Sequence, residues 1–502
     1  MKKEMLIYHK KAGSGYTKRT EDAELYASAG LDRILCDRVT VTAEPGNLQD
    51  GKGTVNGTII FFALWQNEEG NVKRSEKRVD FSEEIFIKNA TPDMYMTVKA
   101  EVLGWDMRIS GDRIIAKADI QIEATAWEKK EQPFLTELDE EDVEQKTECK
   151  AFMKMNGAVQ KHFDIQDQAE LSRDNPPIYE ILSVNGKINP SSMRAVNGKA
   201  VVQAELDTVI LYTDSETMQL CTASVSIPFT EIFEVEDLSD EELFLQELKI
   251  EDISFSALPD EKGEVRVIDL NVKACLNAER FIAQNETFVT DCFGVGKSCD
   301  TVCDNISVRI HAGDMNGQAG LKGQIEIGEM PQIGQVYFLE AIPKIRNFES
   351  EDNGCTVSGN VLVCVHYITD EETQKIAVLE KEIPFSERFA CTGKAEPHCK
   401  LRASGMSYTL NGDYVVDVRG NLEFSGVLLR EEPMEVIRAL SVGPCEAKTD
   451  FPSVTVCFAQ NGEGLWDIAK KYAASIKEIA ETNGLSENAN VSGKRLIVPK
   501  HK

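Results

Sequence analysis

Ile227-Pro-Phe-Thr-Glu-Ile-Phe233 has two near copies in the chain, Val79-Asp-Phe-Ser-Glu-Glu-Ile85 and Ile383-Pro-Phe-Ser-Glu-Arg-Phe389. The shared aromatics, Phe81, Phe229 and Phe385, stand 148 and 156 residues apart. That spacing is the size of a domain, not of a solenoid unit. Upstream of each aromatic lies a glycine followed by a strand-like run, opening at Gly53, Gly198 and Gly354. Further upstream come the apolar starts Ile34-Leu-Cys36, Ile181-Leu-Ser183 and Phe338-Leu-Glu340. Downstream come turn signals at Ser110-Gly-Asp112, Pro259-Asp-Glu-Lys-Gly263 and Asn411-Gly412. Asn-Gly is the strongest of these, because both residues tolerate the positive φ of a tight hairpin turn.

The strands after these turns alternate. Ile120 and Ile122 face one way, with Asp119, Gln121 and Glu123 the other. Val416 and Val418 alternate with Asp417 and Arg419. Period two with one polar face predicts half-buried antiparallel sheet. Long helical periodicity is absent from 30–445. The expected fold class is mainly β: three tandem β-rich, sandwich-like repeat domains at 1–147, 148–300 and 301–445. The aromatics of the signature are expected to pack in cores. Two stretches read as connectors: the acidic run 131–144, and 444–452, with Pro452 as a stiff entry to the last module.

Composition narrows the function. The 502 residues carry 55 Lys+Arg against 84 Asp+Glu, a formal net charge of −29. Such a surface repels phosphate backbones and anionic lipid headgroups, which argues against nucleic-acid binding and membrane docking. The longest apolar run, 58–65, is far short of the ~20 residues of a spanning helix, so no transmembrane segment is expected. The start lacks an apolar core and cleavage site, so no secretory signal is expected. Thirteen irregularly spaced cysteines, an odd number, read as buried small hydrophobes in a reducing compartment, not a disulfide framework.

Residues 453–502 break the pattern and predict a small α+β module of βααβ order. Val454–Ala459 reads as a strand. Leu465, Ile468, Ala469 and Tyr472 recur at helical spacing. A second helix is expected from Ser475, as N-cap, to Asn483-Gly484, with Glu478 completing a capping box. Gly493–Pro499 supplies a closing strand.

On Gly-Glu-Gly-Leu-Trp-Asp-Ile-Ala-Lys-Lys-Tyr (462–472), Ile-Ala-Glu-Thr-Asn-Gly-Leu (479–485) and Gly-Lys-Arg-Leu-Ile-Val-Pro (493–499), the tail resembles a LysM domain. The resemblance implies a groove for N-acetylglucosamine-containing glycans such as peptidoglycan, formed by two loops. Carried over, these hold Asn461, Gly462, Glu463, Gly464 and Leu465, and Asn483, Gly484, Leu485 and Asn490. The chain departs from the family at Gly464, where a Thr or Ser is usual, and at Cys457 and Ala459. The missing hydroxyl removes one donor and acceptor from the groove. A LysM fold reused for protein docking therefore stands beside glycan binding; the tail's surplus of two positive charges is a weak pointer to an acidic partner.

Pro177-Ile-Tyr-Glu-Ile-Leu-Ser-Val-Asn-Gly-Lys-Ile188, with Gly198-Lys-Ala-Val-Val-Gln203 and Ile227-Pro-Phe-Thr230, resembles the SPOCS domain of spore-forming bacteria. SPOCS repeats followed by LysM are similar to the SipL-type spore-coat morphogenetic proteins. The resemblance implies a non-enzymatic scaffold in the mother-cell cytoplasm, at the forespore surface and spore coat. Its implied partners are the ATPase of the coat's basement layer and other coat proteins. The alternative is a peptidoglycan or cortex glycan-binding protein.

Other chemistry fails on inspection. Gly294-Val-Gly-Lys-Ser298 resembles the end of a phosphate loop, but the loop's first glycine falls on Asp291, a carboxylate that repels phosphate. Cys292, Cys299, Cys303 and His311 lack paired zinc spacing, as do Cys391, His398 and Cys399. No catalytic residues, metal or cofactor are expected.

Overall fold

The alternation near residue 120 extends over a whole strand. Ile114, Ala116, Ala118, Ile120, Ile122, Ala124 and Ala126 are all buried, while the residues between them are partly or fully exposed. A computed structural model describes residues 1–27, 30–328, 330–371, 375–412, 415–444 and 454–499. It is built almost wholly of antiparallel strands, as the period-two patterning requires.

The first repeat has six strands: β1 (Lys2–Tyr26), β2 (Leu31–Gln49), β3 (Lys52–Asn67), β4 (Val72–Phe86), β5 (Tyr95–Ser110) and β6 (Arg113–Glu137). They pair as two sheets, β1-β6-β5 and β2-β3-β4. The second repeat has β7 (Val143–Glu170), β8 (Ile178–Val196), β9 (Lys199–Asp214), β10 (Leu220–Glu234), β11 (Leu243–Pro259) and β12 (Val265–Gly294). They pair in the same way, as β7-β12-β11 and β8-β9-β10. In the third, the first strand is split into β13 (Lys297–Asp314) and β14 (Gly317–Glu326), both on β19 (Val415–Pro444). β18 (Glu396–Asn411) flanks β19, and β15 (Ile333–Glu351), β16 (Gly354–Thr369) and β17 (Ile376–Phe389) form the second sheet. Each repeat buries its own sandwich core between its two sheets, for example Leu25, Phe61 and Ile120 in the first and Val363, Tyr367 and Leu422 in the third.

The signature aromatics occupy one register. Phe81 lies opposite Gly57, Phe229 opposite Ala204 and Phe385 opposite Gly359. A second marker also repeats. Tyr212 donates its hydroxyl to Pro176 O at 3.2 Å and Tyr367 to Pro331 O at 3.0 Å, each reaching 36 residues back.

The repeats do not string out. The long outer strands bend at a bulge immediately before a glycine, at Gly13, Gly157 and Gly313. A bulge bends and twists its strand, so one half of each strand joins its sandwich and the other half turns to the centre. There Phe134, Phe288 and Val436, equivalent positions of the three repeats, share one apolar cluster with Leu6, Phe152 and Ile306. Their sequence neighbours Leu135, Val289 and Ile437 face the other way into a second cluster, with Leu138, Cys292 and Leu440. A third joint cluster takes Val72, Leu220 and Ile376, each nine residues before its signature aromatic. Equivalent residues meeting in common cores make the body a pseudo-threefold assembly.

Two expectations need correction. The acidic run 131–144 is not a solvated linker: β6 runs to Glu137 and β7 starts at Val143, with Phe134, Leu135 and Leu138 buried. Its apolar residues are needed in the joint cores. The joints expected at 147/148 and 300/301 fall inside β7 and β13; the pairing supports joints at 138–142 and 295–296. Tyr472, the last residue of its helix, packs partly buried against the core of the C-terminal module. Most of the second connector, with Pro452, lies outside the described residues, as do positions 413–414 of the third hairpin turn. The flanking pair Asn411–Val415 is formed.

Candidate functional site

The C-terminal module has the expected order: β20 (Val454–Phe458), α1 (Leu465–Tyr472), α2 (Ile476–Asn483) and β21 (Arg495–Pro499), with β20 antiparallel to β21. Leu465, Ile468, Ala469, Ile479, Leu496 and Val498 form its core. Gly484 ends α2 with φ 63°, the left-handed cap that glycine adopts without strain. At α1 the Asp467 carboxylate accepts from Gly464 N at 2.9 Å. Gly464 itself has no hydroxyl to return the cap.

The two loops expected to form a groove are joined by a residue that the motif does not single out. Ser492 Oγ donates to Asn461 Oδ1 at 3.4 Å and accepts from Gly462 N at 3.3 Å, while Ser492 N donates to Asn490 Oδ1 at 3.0 Å. Asn461 and Asn490 are thus brought to one place. Asn461, Gly462, Gly484 and Asn490 are exposed, and Glu463 and Gly464 partly so. Three of the nine positions serve the fold instead. Leu465 is in the core and Leu485 packs against it. The Asn483 amide is saturated: it donates to Ile479 O and Ile497 O at 2.8 and 2.7 Å and accepts from Ile497 N at 2.8 Å.

The module is docked on the second repeat. Phe293 and Val295 extend its core, and the Trp466 ring meets Phe293 edge-on at 5.0 Å. Trp466 Nε1 donates to Asp291 at 2.9 Å and Lys470 Nζ to the same carboxylate at 2.6 Å. Burial pushes the Asp291 carboxyl up, but these two donors outweigh it and hold the group below its ordinary range. Ser475 does not cap α2 with its own side chain. Its hydroxyl and the Ile476 N–H both donate to Glu144 at 3.1 Å, so the cap comes from β7. The segment that mimics a phosphate loop is therefore a seat for the module, and its odd residue, Asp291, is the anchor. These contacts come from α1 and the start of α2, leaving the exposed positions of the two loops facing solvent.

The cysteine sets named from spacing do not assemble: among the described residues neither forms a cluster of metal-ligating atoms. Cys292 and Cys299 instead serve the second joint core. The twelve described cysteines are free thiols. No helix of the described residues is long and apolar enough to cross a membrane.

Comparison with known families agrees with this layout. Residues 32–110 and 177–258 match the family model described as SipL, SPOCS domain, and residues 459–499 match the LysM domain. The two matches to the first model cover corresponding parts of the first and second repeats. No curated protein and no solved structure matches. The chain thus has SPOCS-plus-LysM architecture and is sporulation-related; both are non-catalytic domain families.

Proposed function

We propose that this SPOCS-plus-LysM chain is a non-enzymatic scaffold of the bacterial endospore envelope. It tethers coat basement-layer proteins, including their ATPase, to the forespore surface from the mother-cell side. The supporting observation is the docked LysM module, held on a three-repeat body with its loop positions turned outward. A rigid body that offers several modest surfaces together with an adaptor gains avidity, by roughly 10²–10⁴-fold, when contacts are made in parallel. The adaptor surface is the patch around Asn461, Gly462, Glu463, Gly464, Gly484 and Asn490.

Affinity purification from sporulating cells tests this reading, comparing the full chain with one lacking 454–502. Loss of coat-protein recovery from the truncated chain is expected; unchanged recovery sinks the adaptor role. The second reading, a cortex glycan binder, is favoured by the clustering of Asn461 and Asn490, whose amides suit sugar hydroxyls. Oligosaccharide-competed retention of the full chain on insoluble peptidoglycan would decide for it.

A further inference from the structure

The first two repeats meet at a cleft of about 280 Å³, lined on the second repeat by Gln160, Glu251 and Cys275. Cys275 on β12 and His162 on β7 are direct cross-strand partners. Glu251 sits at the bulge of β11, in the register shift between Ile250 and Asp252. A bulged residue is unpaired and its side chain re-aimed. His162 Nδ1 lies 3.0 Å from Glu251 Oε2, and His162 Nε2 lies 3.9 Å from Cys275 Sγ. One ligand atom from each of the three residues falls within 4.8 Å of the others. Cys275 is 2% exposed.

The first repeat closes the cluster. Glu44 Oε1, from β2, is 3.8 Å from His162 Nδ1. Gln160 Nε2 reaches Cys275 Sγ at 3.9 Å, while the same amide pairs with Val98 N and O, on β5, at 3.2 and 3.4 Å. The nearby cations Lys249 and Lys400 are engaged by Glu247 at 3.2 and 3.4 Å.

We propose that Cys275, His162, Glu251 and Glu44 form a site for a divalent transition-metal ion of the zinc class, joining the first repeat to the second. The donor set carries the choice of ion. Thiolate and imidazole select zinc-like ions, whereas calcium and magnesium take oxygen alone. Tetrahedral zinc, with bonds of about 2.0–2.3 Å, separates its ligand atoms by roughly 3.3–3.8 Å. The Glu251 and Glu44 oxygens lie 3.0 and 3.8 Å from His162 Nδ1, which makes Nδ1 the coordinating nitrogen, and the Cys275 sulfur, now 3.9 Å from Nε2, closes on the ion by a side-chain shift. On binding, the Cys275 thiol gives its proton to solvent and coordinates as thiolate, and His162 coordinates as neutral imidazole through one nitrogen. Gln160 becomes the outer partner of the sulfur.

The test uses the full chain, stripped by chelator and titrated with Co²⁺ and then Zn²⁺. Expected is a single Co²⁺ per chain with thiolate-to-cobalt charge-transfer absorption, displaced by Zn²⁺. Cys275→Ser abolishes the band, and Cys303→Ser, at an exposed thiol, keeps it. Gln160→Ala weakens Co²⁺ binding roughly ten- to hundredfold. Circular dichroism checks each fold, and should Cys275→Ser fail to fold, His162→Asn and Glu251→Gln carry the test through the same loss of the band. A folded wild-type chain that takes up no stoichiometric Co²⁺, or a band that survives Cys275→Ser or His162→Asn, overturns the site.

Discussion

Trp466 donates its indole N–H to the Asp291 carboxylate at 2.9 Å, across 175 residues of sequence. The module and the body therefore share a polar anchor laid over an apolar contact. Asp291→Ala removes the acceptor of both Trp466 and Lys470. These groups are partly exposed, so solvent screening trims the loss to about 1–2 kcal/mol of docking free energy. Hydrogen exchange should quicken at 465–476 while the module core around Ile479 and Leu496 stays protected. Unchanged exchange at 465–476 would count against the dock. Because Asp291 is held below its ordinary value of 3.8, its contribution is full above that pH and fades as pH falls through the lower, docked value.

His366 gives a second pH response. Burial and the nearby Arg38 push its pKa down to about 4, and its Nε2 has no hydrogen-bond partner among the described residues. The unfolded chain binds this proton at about 6.5 and the folded chain only near 4, so stability falls as pH drops from about 6.5 to 4. The full effect is of the order of 3 kcal/mol. His366→Phe should flatten that part of the pH–stability curve, measured by urea melts across the window.

Gly57 faces Phe81 across the strand pair, and a Cβ there would lie 2.1 Å from Thr42 O and 2.5 Å from the Phe81 ring. Gly57→Ala is expected to cost about 1–3 kcal/mol by overpacking. The second repeat has alanine at the equivalent position, and there Ala204→Gly should cost only about 0.5–1 kcal/mol. Thermal denaturation of both variants checks this asymmetry.

Phe288 is fully buried in the cluster fed by all three repeats, 4.6 Å from the Phe134 ring. Phe288→Ala should cost about 3–5 kcal/mol. Calorimetry should show the whole three-repeat transition moving down together. A split into one shifted and two unshifted transitions would contradict the shared core.

Gly464 has φ −97°, and a Cβ there would meet only Asp467 Oδ2 at 3.7 Å. Threonine fits this N-cap within a few tenths of a kcal/mol. Gly464→Thr restores the hydroxyl usual in the LysM family. It should raise affinity for N-acetylglucosamine oligomers in calorimetric titration if the groove is a sugar site; unchanged affinity counts against that reading.

The tandem signature and the period-two runs are legible in the sequence because they are local: Phe81, Phe229 and Phe385 announce themselves in seven-residue windows. The βααβ tail is legible for the same reason. What sequence does not offer is the meeting of equivalent residues. Val72, Leu220 and Ile376 look like ordinary strand residues until three chain segments converge on them. The acidic run at 131–144 misleads because its charges conceal Phe134 and Leu135, which are buried on opposite faces of β6 in two different joint cores. Asp291 reads as the flaw in a phosphate loop, though its carboxylate serves Trp466 and Lys470. His162, Glu251 and Cys275 carry no spacing rule, since a sheet and a bulge bring them together. Ser492 gives no signal beyond lying between the two loops.

The bulges before Gly13, Gly157 and Gly313 send half of each outer strand into common territory, so no third of the body owns a complete hydrophobic interior. Cutting the gene at repeat boundaries would leave open, sticky remnants, and any lost partner in such a truncation would report collapse instead of a missing epitope. Mapping who touches this molecule where thus calls for point changes on its outer skin, with all three lobes left in place.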